Sequence, residues 1–265
     1  MIKLNDTVVN IGHFPDGTML LKQDIPEAEK ITISWFYEND TEMMALIYLT
    51  NHLKAHQKEQ IHLYLPYIPN ARQDRVKTSE DVFTLKYFAG VINSLGFKTI
   101  TVLDPHSSVS EALINNIIIE KPTKLIENAI AKITEAEGEA PSMFYPDEGA
   151  GKRYSGMIPL PYAFGIKKRD WATGQIKGLD VAGDVDNIQG KNILIVDDIC
   201  SKGGTFYFSA KKLKELGAKN IYLHITHCEN TIFGGDLLES GLITKIYTTN
   251  SILTKTHEMI EIVNL

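Results

Sequence analysis

A chain of 265 residues with 43% hydrophobic content can bury one large core or two modest ones, and two domains are expected. A formal charge of −6 argues against a general nucleic-acid or anionic-membrane binder, and no apolar run approaches a membrane span. No Arg-rich presequence or signal-type segment opens at Met1, and the 2 cysteines, Cys200 and Cys228, lie too far apart in sequence to suggest a disulfide framework, so a soluble protein of a reducing compartment, the cytoplasm, is expected.

In chain order, the apolar stretches between Ile2 and Ile25 are broken by His13-Phe-Pro-Asp-Gly17, a turn set by its Pro and Gly. Ile31 to Phe36 reads as a strand and Thr41 to Gln57 as a helix, with apolar residues at helical spacing. His52 and His56 share a face of that helix, but no third ligand accompanies them, which favours an exposed helix end over a metal site. Ile61 to Tyr67 is a second strand, and it runs into Pro69-Asn-Ala-Arg-Gln-Asp-Arg75. Two arginines around a Gln-Asp pair can grip phosphate oxygens bidentately and accept from an amine or hydroxyl, although a salt-bridged surface loop has the same composition. A helix over Asp81 to Leu95, capped by Gly96, leads to a strand over Thr99 to Leu103 and then Asp104-Pro-His106. A histidine there can bind a metal or a phosphate, or serve as a hydrogen-bonded structural residue.

Leu95-Gly-Phe-Lys-Thr-Ile100 is echoed by Leu216-Gly-Ala-Lys-Asn-Ile221, and His106 by His227, at one constant offset. Two related α/β halves account for that echo. The boundary is expected where the charged helix ends in Glu135-Ala-Glu-Gly-Glu-Ala-Pro141, giving domains 1–138 and 139–265. The second half opens with a strand at Ser142 to Tyr145 and a glycine loop, Pro146-Asp-Glu-Gly-Ala-Gly-Lys-Arg153, which makes Asp147 a candidate metal ligand or sugar-hydroxyl acceptor, or a plain loop acid. From Lys167 to Gly190 the chain reads as a long polar loop, of the kind that forms lids, with Lys167-Lys-Arg169 able to close over a polyphosphate.

The densest motif is Lys191-Asn-Ile-Leu-Ile-Val-Asp-Asp-Ile-Cys-Ser-Lys-Gly-Gly-Thr205. Ile193 to Val196 suits a strand buried on both faces and delivers Asp197 and Asp198 at its carboxyl end. Gly203 and Gly204 then let backbone N–H groups converge before a helix over Phe206 to Leu216. Such a nest at a helix N-terminus suits an anion, most simply a phosphate, and the spacing is not that of a Walker A loop. Cys200 is read as a small buried residue rather than a nucleophile. Strands at Ile221 to Thr226 and Lys245 to Tyr247 complete the pattern.

Together these motifs resemble the ribose-phosphate diphosphokinases, the PRPP synthetases, over nearly the whole chain. Tyr64-Leu-Pro-Tyr-Ile-Pro-Asn-Ala-Arg-Gln-Asp-Arg75 resembles the family's ATP-binding signature, Asp104-Pro-His106 its metal-binding strand end, and Pro146 to Arg153 its second carboxylate loop. Lys167-Lys-Arg169 is similar to the start of the flexible catalytic loop, and Asp197 to Thr205 to the ribose-phosphate loop. Phe14-Pro-Asp-Gly17 resembles an adenine-side turn that the family lends across a subunit interface. The resemblance implies an α/β protein with two tandem phosphoribosyltransferase-type (Rossmann-like) domains and mainly parallel sheets. It implies transfer of the diphosphoryl group of Mg-ATP to the anomeric hydroxyl of ribose 5-phosphate, giving PRPP and AMP, in a homo-oligomer that binds neither nucleic acid nor membrane.

By the same resemblance Lys168 and Arg169 are catalytic, while Phe14, Asp16, Arg72, Gln73, Asp74, Arg75 and His106 bind ATP. His106 and Asp147 hold Mg²⁺, and Asp197, Asp198, Ser201, Lys202, Gly203, Gly204 and Thr205 bind the ribose phosphate. The departures are specific. Ser201 and Lys202 stand where the family has an acid and a hydroxyl, which makes the loop more cationic and suits an acceptor with more phosphate. Thr18 stands for an acid, Asn70 for a tyrosine and Asp170 for a loop arginine. Alternatives are the same chemistry on ADP-ribose, giving ADP-ribose pyrophosphate for NAD re-synthesis, a base-using phosphoribosyltransferase, and a non-catalytic regulatory homologue.

Overall fold

The computed structural model describes residues 1–169 and 176–265, with side chains described outside 167–178. The chain divides into two compact units, Met1–Lys121 and Pro122–Leu265.

The first unit contains β1 (Ile2–Leu4), β2 (Thr7–Val8), β3 (Ile11–His13), β4 (Met19–Leu21), β5 (Lys30–Trp35), α1 (Thr41–Ala55), β6 (Gln60–Tyr64), α2 (Thr84–Ser94), β7 (Ile100–Leu103), α3 (Val109–Leu113) and β8 (Ile117–Glu120). Its main sheet has the order β2-β1-β5-β6-β7-β8, and β5 to β8 run parallel. Alternation along β5 buries Ile31, Ile33 and Trp35, which pack with Leu46, Leu49 and Leu53 of α1 and with Leu85, Phe88 and Ile92 of α2. The strands and α1 match the sequence expectation closely. The helix after the arginine loop starts at Thr84 rather than Asp81, because the Asp81 carboxylate accepts from the backbone N–H groups of Lys77 (2.8 Å) and Thr78 (2.7 Å) and closes a turn instead.

The second unit contains α4 (Thr123–Glu137), β9 (Ser142–Tyr145), α5 (Glu148–Tyr154), β10 (Tyr162–Arg169), β11 (Ile176–Gly183), β12 (Ile193–Cys200), α6 (Gly204–Glu215), β13 (Ile221–Cys228), β14 (Lys245–Thr249) and β15 (Ile260–Val263). The sheet order is β11-β10-β9-β12-β13-β14-β15, parallel apart from β11, which pairs antiparallel with β10. The chain leaves β9 toward one edge and returns on its other side as β12, so β9 and β12 flank a switch in strand order, where open α/β sheets bind ligands. Phe206, Ala210 and Leu213 of α6 pack in one apolar cluster, while Ile126, Ala129 and Ile133 of α4 pack in a second with Met143, Leu194 and Val196.

Two expectations need revision. The division falls between Lys121 and Pro122 rather than at 138/139, because α4 packs on the second sheet and its Glu137 accepts from Tyr222 Oη at 2.7 Å and Lys219 Nζ at 2.9 Å. The polar stretch after Lys167 is no long loop: its ends form the ladder from Ala163↔Gly183 to Arg169↔Ile176. The reading of Cys200 as a small buried residue holds: Cys200 and Cys228, remote in sequence, are register partners on β12 and β13, both free and buried, and the Cys200 thiol is pushed up by its hydrogen bond to Cys228 and by burial.

The internal echo has a structural counterpart. Ile100 opens β7 and Ile221 opens β13, each after a helix that ends at the matching Leu-Gly. The histidines diverge: His106 lies half-buried beyond β7, whereas His227 is buried inside β13 with Nδ1 2.8 Å from Ser251 Oγ.

Candidate functional site

In the second unit, β12 pairs with β9 only as far as Ile195↔Phe144 but continues against β13 to Cys200↔Cys228. Asp197 and Asp198 thus sit within the strand, past the end of one neighbour, rather than after the strand as the sequence suggested. Asp147 follows β9, and Pro146 to Arg153 is mostly helix instead of a glycine loop: Asp147 caps α5, with its Oδ1 accepting from the Ala150 N–H at 3.0 Å.

The two β12 acids differ in surroundings. Asp198, 3% exposed, forms an ion pair of 3.2 Å with Arg153 Nη1, whose guanidinium also lies 5.5 Å from the centroid of the Tyr154 ring. Asp197 is half-buried, and burial pushes its carboxyl well above the usual carboxylate range, with the charges of Asp198 and Asp147 acting in the same direction. The two neighbouring acids thus face different surroundings, and Arg153 is a participant that the motif reading missed. Its signal is faint: it lies on the helix that Asp147 caps, one turn beyond the glycines.

After β12 the chain turns through Ser201 and Lys202 into Gly203, whose φ of 82° is left-handed and strains any residue with a Cβ. Helix α6 begins at Gly204, so the amides of its first turn have no acceptor within the helix. Acids, turn and helix N-terminus follow one another in the order expected from sequence, and Lys202 on the turn is exposed.

In the first unit, buried Ile68 and Ala71 anchor the loop after β6. Asp74 is 6% exposed and receives both Arg75 Nε (2.6 Å) and Nη2 (3.0 Å). Those bonds hold its carboxyl below the usual range, with nearby Ser107 and the charge of His106 adding to the effect. The structure thereby brings Asp74, Arg75 and His106 into one neighbourhood. Gln73 and Arg72 are exposed, and Gln73 Oε1 accepts from Thr84 Oγ1 at 2.8 Å. Phe14 and Asp16 occupy the tip of the β3–β4 hairpin, where Asp16 accepts from the Thr18 N–H (3.0 Å) and Oγ1 (2.7 Å). Those bonds hold the Asp16 carboxyl below its usual range while the Phe14 ring stays exposed.

Lys168 and Arg169 end β10, where their backbones pair with Gly178 and Ile176; their side chains, and Asp170, lie outside the described residues. Among the described residues no group of three or more His, Cys, Asp or Glu side chains is arranged to hold a metal ion. The donor types nonetheless suit Mg²⁺, which prefers one or two carboxylates completed by substrate phosphates over an all-protein cage.

A family model described as phosphoribosyl synthetase-associated domain matches residues 171–262. The ribose-phosphate pyrophosphokinase of Thermococcus kodakarensis is 30% identical over 260 residues, covering 93% of this chain and 86% of that protein. The enzyme of the same name from Mycoplasmopsis pulmonis is 29% identical, covering 100% of this chain and 84% of its own length. Among solved structures, phosphoribosylpyrophosphate synthetase from Mycobacterium smegmatis matches with a TM-score of 0.78 at 20% identity, covering 97% of this chain and 86% of that one. At that identity the last match speaks to the fold alone.

Proposed function

We infer that this chain, which belongs to the ribose-phosphate pyrophosphokinase family, transfers the diphosphoryl group of Mg-ATP to the anomeric hydroxyl of a ribose phosphate, with ribose 5-phosphate as acceptor. In that reaction the anomeric oxygen bonds to the β-phosphorus of ATP, and the bond from that phosphorus to the α-bridging oxygen breaks. AMP leaves with the bridging oxygen, and the hydroxyl proton is released.

The observation that carries the reading is the acid pair running directly into a glycine turn at a helix N-terminus, Asp197 to Thr205. Asp197 and Asp198 would accept from ribose hydroxyls, with Arg153 holding Asp198 in place, and the Ser201 to Thr205 backbone would receive the 5-phosphate. Arg72, Gln73, Asp74 and Arg75 would orient ATP, and Phe14 and Asp16 would meet the adenine. Lys168 and Arg169 would neutralise charge developing on the transferred group, since phosphoryl transfer relies on positioning and electrostatics. Mg²⁺, bound with ATP and reached by His106 and Asp147, would supply further charge neutralisation. The working form is a homo-oligomer in a reducing compartment. No helix among the described residues is long and apolar enough to cross a membrane.

A second reading concerns the acceptor. Lys202 adds an exposed cation to the phosphate turn where the family has a hydroxyl, and this favours an acceptor with a further phosphate, such as ADP-ribose. Incubation with Mg-ATP and either compound, followed by AMP release, separates the two: release with ribose 5-phosphate alone removes the ADP-ribose reading, and release with ADP-ribose alone reverses the assignment.

A further inference from the structure

We propose that Gly235 and Leu237 are positioning residues for the acceptor loop, which they hold from behind so that its amides face the phosphate; this rests on Ser201 to Thr205 being the acceptor loop. After β13 the chain makes a 3₁₀ turn, Asn230–Gly234, and returns behind Lys202 and Gly203. Gly235 has φ −111° and ψ 169°, a conformation open to any residue, so the backbone does not demand glycine there. Space does. A Cβ on Gly235 would overlap the Lys202 carbonyl oxygen and stand 2.9 Å from its carbon and 3.2 Å from the Lys202 Cα. The adjacent Gly234 has nothing within 4 Å of the same position.

Leu237 closes the other side. It is 1% exposed, and its Cδ2 and Cβ lie 2.7 and 2.9 Å from where a Gly203 Cβ would sit. The peptide between Lys202 and Gly203 is thus seated by its carbonyl against Gly235 and by its following Cα against Leu237. That peptide is planar and trans, so a carbonyl directed at Gly235 aims the Gly203 N–H to the opposite side, away from the buttress. Specificity for the acceptor's phosphate is accordingly set in part by a segment more than thirty residues downstream of the loop that touches it.

The test compares Gly235→Ala with its matched neighbour Gly234→Ala, using Mg-ATP and whichever acceptor supports AMP release, alongside thermal melting. Gly235→Ala is expected to raise the acceptor KM by at least about tenfold with the ATP KM unchanged, because small displacements of positioning groups cost that much or more. Gly234→Ala is expected to leave both constants alone. A Gly235→Ala protein that melts like the parent and keeps its acceptor KM overturns the proposal. Should that variant not fold, Leu237→Ala decides by the same readout: a raised acceptor KM supports the buttress and an unchanged one refutes it. Thr205→Ala separates the two layers of inference. An unchanged acceptor KM there defeats the loop reading and the buttress with it, whereas a raised one beside an unaffected Gly235→Ala defeats the buttress alone.

Discussion

Asp197 and Asp198 are neighbours in sequence, yet the fold gives them opposite treatment. Arg153 compensates Asp198 at 3.2 Å, while burial and two adjacent acids push the Asp197 carboxyl upward. An unfolded Asp197 releases its proton near the ordinary carboxylate value, and the folded one holds it to higher pH. Between those values the unfolded state binds fewer protons, so this residue makes stability fall as pH rises through the interval. Asp197→Asn removes that penalty. The variant is expected to melt at a higher temperature than the parent at about pH 7, with the gap narrowing toward about pH 4, the range of ordinary carboxylates, while AMP release drops. A lower melting temperature at neutral pH would show that Asp197 contributes to folding rather than opposing it. The acid pair itself was legible in the sequence because an apolar run ending in carboxylates has a plain meaning. Its modulator was not, since the contact between α5 and β12 is tertiary and no local spacing encodes it.

At the scale of elements, strands and helices with clean periodicity were readable, and two errors share a cause. The stretch after Lys167 looked like a loop because its Lys, Gly and Asp content hides a ladder that depends on backbone pairing between β10 and β11. Helix α4 was recognised but assigned to the wrong unit. Its apolar stripe, Ile126, Ala129 and Ile133, marks which face is buried without saying against which sheet. That assignment has a direct consequence. A fragment spanning residues 122–265 retains the α4 stripe and is expected to unfold cooperatively in urea, monitored by circular dichroism. A fragment of residues 139–265 exposes Met143, Leu194 and Val196 and loses several buried apolar side chains, each worth about 2–5 kcal/mol, so it is expected to lack a cooperative transition. Equal stability of the two fragments would return α4 to the first unit.

For the whole molecule, the order of motifs was more informative than any one of them. An arginine loop, a strand-end histidine, a helix-capping acid and an acid pair leading into a glycine turn are each common, but in this order they specify one family. What the sequence left open is how the loop is held, because Gly235 is unremarkable until the Lys202 carbonyl is seen against it. In the proposed reaction the β,γ-diphosphoryl group moves as one unit to an anomeric oxygen. Phosphorus-31 NMR of a reaction containing the protein, Mg-ATP and ribose 5-phosphate or ADP-ribose tests it most directly. AMP and an anomeric diphosphate are expected in equal amounts, with no ADP. Formation of ADP with a singly phosphorylated acceptor, or no AMP with either acceptor, would contradict it.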